Sequence, residues 1–379
     1  MQGDALNRIV YDHQVFASQR HGGISRYVCE IAARIGRMPG FCTRVVAPLA
    51  FNAYLPQSGV SRIGIDLPGG RERYPGCLQV SGLLARPIIR ACRPDLVHET
   101  YYAPRRIAPR GVPTVLTVYD MVYERLPGMF PRQDRVVRDK AVAARRADHV
   151  LCISESTRRD LLEFVPLEAS RVSVIPLGFS ALEDGGVPRR PAPPGGRPYM
   201  LFVGKRGGYK NFRRTLQAYA ASARLRGQFD LLAFGGGPLT AEENRFALSL
   251  GLPQGMPRQV SGDDTALAAC YRGARAFVYP SLYEGFGIPP LEAMSLDCPV
   301  ACSATSSLPE VVGDAALTFD PADVDAQRAS MEKIAFDDAL RAELIARGRE
   351  RIKVFTWERC AQQTAQIYEA LIGTARLQA

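Results

Sequence analysis

Two glutamates, Glu284 and Glu292, stand eight positions apart in the stretch SLYEGFGIPPLEAM at residues 281–294, with Gly285, Phe286, Gly287 and the Pro289–Pro290 pair between them. A carboxylate can accept two hydroxyl hydrogen bonds, so each can hold a vicinal diol. Glycine bares the backbone and lets N–H groups approach a ligand. A proline in the first turn suits a helix start, whose unpaired N–H groups and positive dipole end favour a diphosphate. Acid, bare loop, helix start, acid is also the layout of a sugar nucleotide: sugar hydroxyls, diphosphate, ribose diol. Each acid has a plainer explanation taken alone: a glutamate in a helix's first turn is favourable for dipole reasons, and one after a strand is commonly solvated.

Other groups could serve the same ligand. VGKRGGYKNF, residues 203–212, carries Arg206 and Lys210 four apart, a bidentate guanidinium and a point-charge ammonium for two phosphates. Lys205 lies beside them, so surface charge alone would also explain the cluster. HGGISRY, residues 21–27, places Gly22 and Gly23 where their amides can approach phosphate or sugar, with Arg26 close by. His98 in VHETYY and Asp120 in VYDMVYE end two apolar runs. Ser154 in CISEST is a donor contact or a helix cap. The D-x-D pattern at 323–325 lies at a helix start away from the glycine loops and reads as a cap, so no metal is expected.

The elements that must position these residues alternate along the chain. Residues 8–16, 43–49, 95–100, 114–120, 149–154 and 172–178 read as strands, with helices at 22–35, 134–147 and 155–164. Their apolar, β-branched character suits a parallel sheet buried on both faces. ALEDGGVPRRPAPPGGRP, residues 181–198, reads as a linker. The alternation then restarts, with strands at 199–204, 229–236, 275–281, 299–303 and 316–321 and helices between and after them. The expected fold class is α/β, with two Rossmann-like doubly wound domains facing across a cleft. The first spans 1–180 and the second 199–357, with a final helix at about 358–379 packing back on the first.

Composition bounds the rest. A chain of 379 residues suits two domains, and no run approaches the apolar length of a membrane span. No signal peptide is read at the start, so a cytoplasmic place is expected. Nine irregularly spaced cysteines read as free thiols rather than a disulfide frame or metal site. The net charge of +10 is uneven: residues 1–180 hold 25 Lys+Arg against 16 Asp+Glu. That points to an anionic partner for the first half, with nucleic acid least favoured because no zinc-finger or RNA-binding pattern is present.

The segment YPSLYEGFGIPPLEAMSLDCPVACSATSSLPEVVGDAALTFDP resembles the retaining glycosyltransferases of family 4, which have the GT-B fold. The opening YDHQVFASQRHGGISRY is similar to bacterial mannosyl- or rhamnosyltransferases of lipopolysaccharide O-antigen biosynthesis. The resemblance implies that Glu284 supports the reacting centre and Glu292 holds the ribose. It implies that the amides of Gly285, Phe286 and Gly287 contact the sugar and that Arg206 and Lys210 grip the diphosphate. Gly22 and Gly23 would cover the donor, and Ser154 matches a family serine. Where the family often has His-Asp, this chain has Tyr119–Asp120, which leaves Asp120 as the better candidate and His98 as a partial substitute.

The same resemblance implies a GDP- or UDP-sugar donor and a glycan or polyprenyl-diphosphate-linked glycan acceptor. It implies peripheral attachment to an anionic inner-membrane surface, no metal or other cofactor, and front-face transfer. Two other readings fit a doubly wound pair: a sugar-nucleotide epimerase, and a non-catalytic nucleotide-binding module.

Overall fold

The computed structural model describes residues 6–130, 133–182 and 196–378. The chain divides into two units, one made of residues up to Gly178 plus Thr356 onwards, the other of Phe179–Phe355. Most of the Pro/Gly-rich run read as a linker, residues 183–195, lies outside the described residues.

The first unit holds seven strands: β1 (Asn7–Tyr11), β2 (Phe41–Ala50), β3 (Arg62–Asp66), β4 (Leu96–Glu99), β5 (Thr114–Val118), β6 (His149–Cys152) and β7 (Val172–Val174). They form one sheet in the order β3-β2-β1-β4-β5-β6-β7, parallel throughout. Between them run α1 (Gly23–Ile35), α2 (Cys77–Ala91), α3 (Val122–Arg125), α4 (Asp134–Arg146) and α5 (Glu155–Phe164). The second unit holds β8 (Tyr199–Val203), β9 (Asp230–Phe234), β10 (Arg258–Val260), β11 (Ala276–Tyr279), β12 (Val300–Ser303) and β13 (Ala316–Phe319). Its sheet is again parallel, in the order β10-β9-β8-β11-β12-β13. Its helices are α6 (Phe212–Ala221), α7 (Ala223–Gln228), α8 (Ala241–Ser249), α9 (Asp264–Gly273), α10 (Ile288–Ser295), α11 (Leu308–Val312), α12 (Val324–Phe336) and α13 (Asp338–Arg351). In both sheets the strand order reverses beside the first strand of the unit, the switch point at which open α/β sheets bind ligands at the carboxyl ends of strands.

The central strands are buried along their whole length, as TVLTV in β5 and DLLAF in β9 show. This is the expected consequence of helices on both faces of a parallel sheet. The sequence reading assigned no element between residues 50 and 94, where the structure has β3 and α2, and it also passed over the short β10.

Helix α14 (Trp357–Gln378) belongs to the first unit. The Tyr368 hydroxyl lies 3.2 Å from that of Tyr11 and hydrogen-bonds Nδ1 of His98, and the Trp357 ring meets that of Tyr27. A Cβ on Gly178 would stand 2.4 Å from the Trp357 nitrogen, so only glycine fits where the chain passes this helix start.

Candidate functional site

In the second unit, β11 delivers the chain into the loop Pro280–Gly287, and α10 leads it away. Gly287 caps α10 at φ +119°, a conformation that disfavours any side chain, and an added Cβ would meet Leu308 Cδ2 at 2.8 Å. Both prolines sit in the first turn of α10, where the missing N–H costs nothing.

The loop is held by three residues after β12. Thr305 Oγ1 donates to the Leu282 carbonyl, Ser306 Oγ accepts from the Glu284 N–H at 2.9 Å, and Ser307 Oγ donates to the carbonyls of Glu284 and Phe286. With its carbonyls tied back in this way, the acid-and-glycine loop is held in place by the protein's own hydrogen bonds. The sequence reading assigned these three residues no role. Their signal was a Thr-Ser-Ser run at the carboxyl end of the neighbouring strand.

Glu284 is half-buried, and its Oε1 accepts from Lys210 Nζ at 2.6 Å. The same ammonium donates to the Tyr279 hydroxyl at 3.2 Å. Burial, and then the Glu284 carboxylate, push the Tyr279 hydroxyl well above its usual range, so it stays protonated. Glu292 lies on α10 one turn past the cap, with its Oε2 facing the Tyr271 hydroxyl at 3.5 Å. Phe286 turns its ring into the core against Phe355, which leaves its backbone for the loop. Asn211 Nδ2 donates to the carbonyls of Pro280 and Pro321 and so ties the Lys210 segment to the same loop.

Arg206 departs from expectation. Its side chain is 3% exposed and its guanidinium is committed to the protein. It donates to the Gly235 carbonyl at 2.9 Å, the Pro238 carbonyl at 2.9 Å and the Glu243 carboxylate at 2.7 Å. Gly235, Gly236 and Gly237 all have positive φ, and an added Cβ on Gly236 would reach Arg206 Nη1 at 2.9 Å. Arg206 therefore shapes the glycine loop after β9 rather than standing open to a diphosphate. Burial works against ionisation of Glu243, but hydrogen bonds from Arg206 and the Thr240 N–H hold its carboxyl below the usual range. The cation left exposed in this loop is Lys205, which has no ion pair among the described residues.

The first unit carries the remaining candidates. Gly22 is the extended N-cap of α1 and an added Cβ there would meet only the flexible Gln19 side chain, while one on Gly23 would meet open space. The fold itself does not demand a glycine at position 23. Asp120 follows β5 with its carboxylate 38% exposed and Oδ1 accepting from the Val122 N–H at 3.2 Å. Behind it, buried Lys140 donates to the Asp120 carbonyl at 2.8 Å and to Glu124 at 3.0 Å. Tyr119 is turned inward and donates its hydroxyl to the Thr100 carbonyl at 3.1 Å.

Two expectations need correction on this geometry. His98 is fully buried in β4, with Nε2 2.9 Å from Thr117 Oγ1 and Nδ1 bonded to Tyr368. Burial lowers its pKa to about 3, so it is a neutral core residue with both ring nitrogens occupied. Ser154 is 1% exposed and caps α5, accepting from the Thr157 N–H at 3.0 Å and donating to Thr157 Oγ1. Asp12, at the end of β1, escaped notice in the sequence. It is buried and accepts from the Thr100 N–H at 3.0 Å and from Gln14 Nε2 at 2.7 Å, joining the loops after β1 and β4.

Asp323 accepts from the N–H groups of Asp325 and Ala326 as the cap of α12. Among the described residues no group of three or more His, Cys, Asp and Glu is placed to hold a metal ion.

Comparison with known proteins gives these loops a context. Residues 21–181 match the model described as Glycosyltransferase Family 4, and residues 187–351 that described as Glycosyl transferases group 1. O-antigen chain mannosyltransferase B of Escherichia coli is 33% identical over 284 residues, 72% of this chain and 73% of the relative. The chain belongs to the family 4 glycosyltransferases. Sucrose-phosphate synthase from Thermosynechococcus elongatus superposes with a TM-score of 0.73 at 20% identity, covering 97% of this chain and all of that one. HepE of Anabaena, solved with UDP and glucose, gives 0.70 at 16% identity over 96% of this chain and 99% of its own. These structural likenesses make the fold of this family 4 glycosyltransferase GT-B.

Proposed function

We propose that the chain is a retaining hexosyltransferase that moves mannose or rhamnose from a GDP- or UDP-sugar to a glycan, free or polyprenyl-diphosphate-linked, in O-antigen assembly. The relative from Escherichia coli, an O-antigen chain mannosyltransferase, supports the sugar and the pathway class. A nucleotide-sugar donor is in keeping with HepE, which was solved with UDP and glucose. The observation that carries the reading is the cluster of Glu284, Lys210 and Tyr279 beside a glycine-capped helix start in the second unit.

On this reading the diphosphate sits at the start of α10, neutralised by Lys210 and by Lys205 rather than by Arg206. The amides of Gly285, Phe286 and Gly287 meet the sugar, Glu284 supports the reacting carbon, and Glu292 holds the ribose. The family resemblance supports a part for Gly22 and Gly23 in donor binding and for Asp120 in the reaction. The bond from the anomeric carbon to the phosphate oxygen breaks, and the acceptor oxygen attaches on the same face. The departing phosphate takes the acceptor proton. Preorganised cations and a helix N-terminus stabilise the charge that grows on that phosphate.

The transfer needs no metal, so excess EDTA leaves the rate unchanged. Complete inactivation that manganese restores would refute that part. The enzyme works peripherally at an anionic membrane surface. Among the described residues no helix is long and apolar enough to cross a membrane. Incubation with labelled sugar nucleotide, with and without an oligomannose acceptor, tests the whole. Transfer only when acceptor is present is expected. Isomerised donor, or binding without reaction, would overturn the assignment.

A further inference from the structure

Helix α2 shows an unusual outer face. Of the eleven exposed large apolar side chains among the described residues, four are on this helix: Leu78, Val80, Leu83 and Leu84, with Leu83 75% exposed. Val80, Leu83, Leu84 and Pro87 are spaced i, i+3, i+4 and i+7 and so form one stripe. Beside it run the exposed Arg86, Arg90 and Arg93, and no acidic residue occurs between Glu72 and Asp95.

The helix is fixed to the sheet by its opposite face. Cys77, Ser81, Ala85 and Ile89 are buried, and Ser81 Oγ accepts from the Leu49 N–H at 3.2 Å. The apolar stripe is therefore not waiting to fold inward. Edge strand β3 adds Ile65, 66% exposed. Ile65 pairs with Leu49 in the ladder, and Leu49 packs in a cluster with Cys77, so Ile65 stands on the α2 side of the sheet.

We infer that α2, with Ile65 of β3, is a docking surface for an anionic phospholipid bilayer. A leucine ridge flanked by arginines, without acids, is the chemistry of a helix lying in the plane of a membrane interface. Nucleic acid would use the arginines but not the ridge. A second copy meeting this face by a two-fold axis would set the arginine rows against each other. The inference deepens the membrane part of the proposed function and rests on that part alone, not on the sugar-transfer chemistry.

Co-sedimentation with vesicles tests it, using phosphatidylcholine alone or with 30% phosphatidylglycerol on the order of physiological ionic strength. The wild type binds the anionic vesicles. The Leu83→Ser/Leu84→Ser and Arg86→Gln/Arg90→Gln doubles each lose about tenfold in partitioning, the charge double chiefly through the phosphatidylglycerol dependence. Leu248→Ser, an exposed leucine of the second unit, binds as wild type. Circular dichroism and turnover on a water-soluble acceptor stay unchanged in all of these. Undiminished binding by both doubles would move the surface elsewhere while leaving membrane attachment intact. No binding by the wild type would overturn both. A wild-type dimer that the leucine double dissociates, without vesicle binding, would make a second copy the occupant and overturn the inference. Loss of soluble-acceptor turnover in the wild type would instead strike the transfer reading.

Discussion

Lys210 and Glu284 are joined by an ion pair of 2.6 Å across 74 positions of sequence, both largely withdrawn from solvent. On the proposed reading, each holds the other where an anionic leaving group and a sugar meet. Glu284→Gln keeps the shape and removes the charge. We expect kcat to fall about a hundredfold, the scale for losing one preorganised electrostatic contact. Lys210→Met is expected to raise the KM for donor as well. Because the two act as a unit, the double variant should be little worse than the worse single one. Steady-state kinetics on the four proteins checks this; fully additive losses would contradict it.

The two cations at the end of β8 should separate by experiment. Arg206→Ala breaks the bonds that hold the Gly235–Pro238 loop and strands Glu243, at a cost of about 3 kcal/mol in stability. Lys205→Ala should leave the melting temperature unchanged and weaken nucleoside-diphosphate binding about tenfold, equivalent to about 1.4 kcal/mol. Thermal unfolding and calorimetric titration with GDP and UDP read the two effects independently. A stable Arg206→Ala protein that has lost nucleotide affinity would return the diphosphate role to Arg206.

His98 predicts a pH dependence of stability rather than of catalysis. Its pKa is about 3 in the folded protein against an ordinary value of 6.5, because burial opposes its charge. Between those values the unfolded chain binds more protons, so acid favours unfolding. The stabilisation is complete above pH 6.5 and drains away as the pH falls towards 3. From pH 7.5 to pH 5 it amounts to about 2 kcal/mol. Urea unfolding at the two pH values should show this loss in the wild type and a smaller one in His98→Gln. The pH profile of kcat should keep its shape in that variant.

Two glycines should respond differently to alanine. Gly287 has φ +119° and lies against Leu308, so Gly287→Ala should cost about 1–2 kcal/mol and impair donor binding together. At Gly23 a Cβ meets open space. Gly23→Ala should fold as wild type, so any rise in donor KM reports on the ligand itself. Paired melting curves and kinetics decide.

Much of this is legible in the sequence. The β/α alternation marked both sheets because strands buried on two faces must be largely apolar, as residues 115–116 and 231–234 are within β5 and β9. The loop at 281–294 was legible because proline and glycine fix backbone geometry locally. What escaped depended on partners distant in sequence. Nothing near Arg206 announces Glu243, and nothing near His98 announces Tyr368. Helix α2 was missed for a different reason. Pro87 stands inside it, and a proline within a run argues against a helix in the sequence although the structure carries the helix unbroken from Cys77 to Ala91.

The placement of α14 has a consequence for biosynthesis. Tyr368, the partner of Tyr11 and His98 in the first unit, is made only after the whole of the second unit. The first unit therefore lacks a wall for as long as the second unit is being made. Chains halted anywhere before residue 356 should leave the earlier half sensitive to protease. A stop codon after residue 355 would leave the earlier half with a permanently open side, and with it a target for cellular quality control.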